Sequence, residues 1–164
     1  MIVVVVDDLA FVEADAIVRP STSLLEPTQT SLRRLDTLGG AAFRPTLREE
    51  LAVGAAVVTG GGDLPSELVI HAIIRSPAEP VTADTVRRAL TSALHRAEAW
   101  ELAHVAIPPL GTGAGHLGFE EAAGAMQSAL HACAGAAWPR QITIVVETEE
   151  ERAVFARILE RGVG

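Results

Sequence analysis

Runs of apolar, β-branched residues punctuate this chain, and each is nearly continuous in hydrophobicity instead of alternating. The runs are Ile2–Val6, Ala16–Arg19, Ala55–Thr59 with Leu68–Ile74, Val105–Pro108 and Ile142–Glu147. That pattern predicts strands covered on both faces. Around Gly60-Gly61-Gly62-Asp63 the turn residues suit an antiparallel hairpin. Helical periodicity predicts helices over Thr82–Trp100, Phe119–Cys133 and Glu149–Arg161, with two further helices in Thr28–Leu38 and Ala42–Leu51. In the first of these, Val86, Leu90, Leu94 and Ala97 recur at spacings of three and four and mark one buried stripe. Thr82 is placed to cap it, with Thr85 three residues on standing in for the usual Glu. Strands alternating with helices predict a three-layer α/β/α sandwich around a mixed, mainly parallel sheet. No repeat or linker-like stretch divides residues 1–164, so one domain is expected.

Composition narrows the chemistry. The 164 residues contain no Lys, Asn or Tyr, so all 13 basic side chains are Arg. Lysine Schiff bases, lysine general bases and a catalytic asparagine are thereby excluded. The net charge of −8 argues against a nucleic-acid partner, whose affinity comes mainly from neutralised phosphates. A single Cys133 rules out internal disulfides and multi-thiolate zinc sites, and the histidines show no metal-ligand spacing. No metal or cofactor is expected. The start lacks a basic region ahead of its apolar run and meets Asp7-Asp8, and no run is long enough to span a bilayer. A cytoplasmic protein without a membrane partner is the expectation.

Two places carry candidate chemistry. Between Pro108 and Phe119 a buried strand feeds a loop with glycines at 111, 113, 115 and 118, and a helix follows. Such a loop permits positive φ and close main-chain approach to an anion at a helix N-terminus, although tight turns use the same residues. Asp8, straight after the first strand, offers a carboxylate to an exocyclic amine or a ribose hydroxyl; its alternative role is a cap or solvated strand end. His71 in an apolar strand reads as a hydrogen-bonded core residue, and Arg33-Arg34 and Arg87-Arg88 as solvated helix faces.

Together these segments resemble the macro domain, the ADP-ribose-binding module. Asp8-Leu9 followed by Asp15-Ala16-Ile17-Val18 resembles the family's Gly-Asp-Ile and Asp-Ala-Ile-Val at the same separation. Leu64-Pro65 and Leu68-Val69-Ile70-His71-Ala72 resemble its Leu-Pro and Tyr-Val-Ile-His segment. Ala106 to Gly113, Gly115 and the Glu120-Glu121-Ala122-Ala123 helix start resemble its diphosphate loop. The resemblance implies that Asp8 accepts from the adenine amino group, with the Leu9 N–H beside it. It implies that Gly111, Thr112, Gly113, Ala114 and Gly115 wrap the diphosphate, and that His116 faces the distal ribose.

The departures bear on activity. Where hydrolytic members read Asn-Ala-Ala-Asn, this chain reads Arg19-Pro20-Ser21-Thr22, and the following Gly-rich loop is replaced by Leu25-Glu26-Pro27-Thr28-Gln29. Three readings follow. The first is a binder of ADP-ribose or a related adenine nucleotide diphosphate, free or carried on an ADP-ribosylated protein, with little hydrolase activity. The second is a hydrolase of an ADP-ribose ester or terminal phosphate, with Glu26, or else Asp15, activating water. The third is a degenerate fold kept as an interaction scaffold.

Overall fold

The computed structural model describes residues 1–43, 49–113 and 116–160. Six strands form one sheet: β1 (Ile2–Val6), β2 (Ala16–Thr22), β3 (Ala56–Gly60), β4 (Leu68–Arg75), β5 (His104–Ile107) and β6 (Gln141–Val146). Their order is β1-β6-β5-β2-β4-β3. All neighbours are parallel except β3, which runs antiparallel to β4 from the Gly60–Gly62 turn. The carboxyl ends of β1, β6, β5, β2 and β4 therefore share one edge of the sheet. Ligands of open α/β sheets bind along that edge.

Successive side chains along a strand face opposite ways, so one sequence feeds two cores. Val18, Ile70, Ile107 and Ile144 pack beneath α2 (Ala83–Ala99), α3 (Phe119–Ala132) and α4 (Glu149–Phe155). Ile17, Val69, Ala106 and Val145 face the other way, against Leu9, Leu32, Phe43 and α1 (Arg33–Gly39). The three-layer α/β/α arrangement expected from the sequence is the one observed. Thr82 and Thr85 form a reciprocal capping box on α2, at 3.1 and 3.0 Å. A threonine hydroxyl thus fills the place usually taken by a glutamate.

Four local expectations differ from the structure. Strand β2 runs on through Pro20 to Thr22, beyond the expected end at Arg19. Its ladder to β5 covers only Ala16 and Ile17, and Thr28 donates to the Pro20 carbonyl, so the edge of Pro20 that lacks an N–H faces away from β4. The helix expected over Thr28–Leu38 begins as a 3-10 turn at Thr30–Leu32 and becomes α-helical at Arg33. That expected over Ala42–Leu51 is present only as the end of a 3-10 turn, Gly40–Phe43; Glu49–Leu51 are not helical, and residues 44–48 lie outside the described residues. Helix α4 passes into a π turn at Ala156–Glu160, and Arg161, its expected end, is also outside them. Among the described residues no helix is long and apolar enough to cross a membrane.

Candidate functional site

A groove with two lobes runs along the carboxyl edge of the sheet. The larger lobe, about 650 Å³, lies between Asp7–Ala10 after β1, Pro108–Pro109 after β5, and the segment Gln29–Leu35. The smaller, about 450 Å³, is bounded by Thr28–Ser31, Arg75, Gly113, His116 and Phe119. Gln29, Thr30, Ser31, Thr112, Glu147 and Glu151 line both, which makes the lobes continuous. Each lobe is in the size range that holds a small-molecule ligand.

Asp8 lines the larger lobe and also caps the turn that follows β1. Its Oδ1 accepts from the Ala10 N–H at 3.0 Å, capping the turn Leu9–Phe11, and its Oδ2 accepts from Arg34 at 2.5 Å. A carboxylate has about four lone-pair sites, so room for another donor remains. Leu9 also lines this lobe, with its side chain buried in the core below. Arg34 was expected to be a solvated helix residue. It is exposed, but it stands in the groove wall beside Asp8, with its guanidinium over the Phe11 ring. No local pattern marks that pairing, because 26 residues separate the partners.

The glycine loop divides its labour. Gly111 has φ +84°, and a Cβ there would lie 2.7 Å from the Val86 side chain on α2. It serves the turn and the close approach to α2, and it is not among the groove-lining residues. Thr112 is buried at the junction of the lobes and bridges to Leu117, while Gly113 lines the smaller lobe opposite Gln29. The Leu117 N–H donates to the Gly111 carbonyl at 2.9 Å and the His116 N–H to the Gly113 carbonyl at 3.1 Å, closing the loop on itself. Ala114 and Gly115 lie outside the described residues. His116 lines the smaller lobe; burial, reinforced by the charge of Arg75, holds its imidazole below the usual histidine pKa. At the rim, burial pushes the Glu151 carboxyl up, aided by the neighbouring charge of Glu147.

Arg19 turns away from this groove. Its guanidinium is 3% exposed and donates to Asp36 at 2.6 Å, to Ser21 and His71 Nδ1 at 3.1 Å each, and to the Leu25 carbonyl at 3.1 Å. The Phe43 ring packs against both Arg19 and His71. His71 completes its bonding through Nε2 and the Thr59 hydroxyl at 2.7 Å. Because Arg19 fills the Nδ1 lone pair, Nε2 carries the proton. Burial, then the Arg19 charge, push the His71 pKa down to about 3. The core reading of His71 fits this geometry.

The two candidate bases lie elsewhere. Arg19 draws the Leu25 carbonyl inward, Leu25 adopts φ +61°, and the Thr22 hydroxyl accepts from the Glu26 N–H. This tight turn leaves Glu26 exposed and outside the groove lining. Asp15 sits at the start of β2, on the opposite edge of the sheet, where its carboxylate accepts from the His104 N–H at 2.8 Å. Neither geometry matches the activation of water on a groove-bound substrate. Among the described residues no cluster of His, Cys, Asp and Glu is arranged to hold a metal ion.

Comparison with known proteins agrees with this architecture. An uncharacterised protein of Aeropyrum pernix is 33% identical over 159 residues, spanning 95% of this chain and 82% of its own. The Trypanosoma brucei macrodomain in complex with ADP-ribose has a TM-score of 0.78 at 19% identity, covering 95% of this chain and 68% of that one. The Oceanobacillus iheyensis macrodomain with ADP has a TM-score of 0.77 at 17% identity, covering 96% and 88%. At those identities the structural likeness speaks to the fold. The Macro domain family model matches residues 37–126, more than half of the chain, and the protein belongs to that family.

Proposed function

We propose that the chain, acting as one macro-type unit, binds ADP-ribose or a related adenine nucleotide diphosphate along this groove and hydrolyses it little. The observation that carries the reading is the continuity of the groove: Asp8 at one end, Thr112 at the junction, Gly113 and His116 in the second lobe. Macrodomains of the same fold are known with ADP-ribose and with ADP. In this reading the adenine amino group donates to Asp8, which already holds its carboxylate in place through Ala10 and Arg34. The diphosphate lies against the main chain of Thr112 and Gly113 and the Thr112 hydroxyl. The distal ribose enters the second lobe against His116. Low turnover follows from the two positions where the resemblance implies asparagines: Arg19 is locked into the core by Asp36, the Thr22 hydroxyl accepts from the Leu24 and Glu26 N–H groups, and Glu26 itself is exposed.

Calorimetric titration with ADP-ribose, ADP and AMP tests the proposal. ADP-ribose and ADP are expected to bind below millimolar, and binding of none of the three at that level overturns it in favour of a scaffold role. Asp8→Ala is expected to weaken ADP binding by about 1–3 kcal/mol, the worth of a hydrogen bond to a charged group. An unchanged affinity removes Asp8 from the site.

A further inference from the structure

The larger lobe sets an acceptor and a donor side by side. An ionised carboxylate only accepts hydrogen bonds. At the 6-position of a purine it accepts from the amino group of adenine and repels the oxygen of guanine, which is an acceptor as well. Asp8 does not stand alone, however. Arg34 Nη1 donates to its Oδ2 at 2.5 Å, and Arg34 lines the same lobe. That bond uses one of the five N–H groups of a guanidinium. Among the described residues Arg34 forms no other ion pair.

The pair is held as a unit. Exposed ion pairs usually contribute little, because two mobile side chains must be ordered to form them. Here part of that ordering is supplied by the surroundings. The Arg34 guanidinium carbon lies 5.6 Å from the centroid of the Phe11 ring. Arg34 stands in the first turn of α1, and the two residues after it anchor that helix: Leu35 is buried, and Asp36 accepts from Arg19 Nε at 2.6 Å. Asp8 is fixed from its own side by the Ala10 N–H at 3.0 Å. Both members keep bonding capacity for a ligand, the carboxylate in its remaining lone pairs and the guanidinium in its remaining N–H groups.

Along this pair the groups run Oδ1, Oδ2, Nη1: two acceptors, then a donor. One edge of guanine carries the complement in the same order, the 2-amino N–H, the N1–H and the O6 oxygen. Adenine meets the pair as well, giving its 6-amino N–H to Asp8 and presenting N1 or N7 to Arg34. Resting on the nucleotide reading above, we propose that Arg34 is a specificity-determining residue of this groove. With Asp8 it reads either purine, so that the groove takes a guanine nucleotide diphosphate as well as an adenine one.

The test is calorimetric titration of the full chain with ADP and with GDP. Wild type, Arg34→Ala and Arg34→Lys are compared, with thermal unfolding as the check that each variant is folded. Wild type is expected to bind GDP within about tenfold of ADP, and Arg34→Ala to weaken GDP by about tenfold or more, the worth of a lost base contact. ADP should lose less than about threefold in that variant, because Asp8 still meets the amino group. Arg34→Lys keeps a donor without the planar fork and should restore part of the GDP affinity. If ADP binds wild type while GDP is weaker by more than about tenfold, or if Arg34→Ala leaves the ratio of the two affinities unchanged, this inference fails and the adenine reading stands. GDP binding that depends on Arg34, with no binding of ADP, upholds the role of Arg34 and overturns the adenine reading. If neither nucleotide binds, both fail.

Discussion

Replacing Arg19 by Met keeps the length and apolar stem of the side chain and removes its five donors. Four acceptors then lose a partner: Asp36, Ser21, His71 Nδ1 and the Leu25 carbonyl. Breaking a buried ion pair by deleting one member costs about 3–5 kcal/mol, chiefly because the remaining charge is stranded. Asp36 is 17% exposed and regains some hydration, which places the expectation near the lower end, about 3 kcal/mol. For a domain of this size each kcal/mol lowers Tm by about 2–4 °C, so a drop of about 6–12 °C is expected. Urea unfolding followed by the fluorescence of Trp100 and Trp138 gives the free energy directly. The double variant Arg19→Met with Asp36→Leu should recover part of the loss, since no carboxylate is left unpaired. A single-variant loss below about 1 kcal/mol, or a double variant less stable than the sum of both singles, refutes the assignment of this network as the clamp on Leu25 and β2.

Further outcomes follow from the same structure. With its pKa at about 3 in the folded state and near 6.5 unfolded, His71 binds more protons in the unfolded chain between those values. Its contribution is complete above about pH 6.5 and falls on acidification by up to about 1.4 kcal/mol per pH unit. Urea unfolding at pH 7, 6 and 5 should show a steeper fall in wild type than in His71→Gln; equal slopes contradict the buried neutral imidazole. Gly111→Ala meets both a positive φ and the Val86 side chain, and scanning fluorimetry should register a loss of about 2–4 kcal/mol. The same change at Gly118, where a Cβ has open space, is the control and should cost less than about 1 kcal/mol. Comparable losses at the two positions sink the packing argument.

The sequence by itself determined the six strands, the helices α2, α3 and α4 and their order along the chain, though not the helix expected over Ala42–Leu51. Strands covered on both faces read as unbroken apolar runs, and the buried stripe of α2 shows in the spacing of Val86, Leu90, Leu94 and Ala97. The collinear segments around Asp8, Asp15, His71 and the glycine loop were enough to name the family. Those signals are local, arising from backbone period, turn chemistry and short spacings. What decided the character of the site was the pairing of side chains far apart in the chain. Arg34 meets Asp8 across 26 residues, and Arg19 meets Asp36 across 17 and His71 across 52. Arg75 and His116 come together because β4 and the loop after β5 end on the same edge. Whether an arginine is a buried clamp or a groove wall depends on which carboxylate the tertiary fold brings within reach. Only the folded sheet, by placing β2 beside β4, brings His71 to Arg19 and sets that arginine in the core.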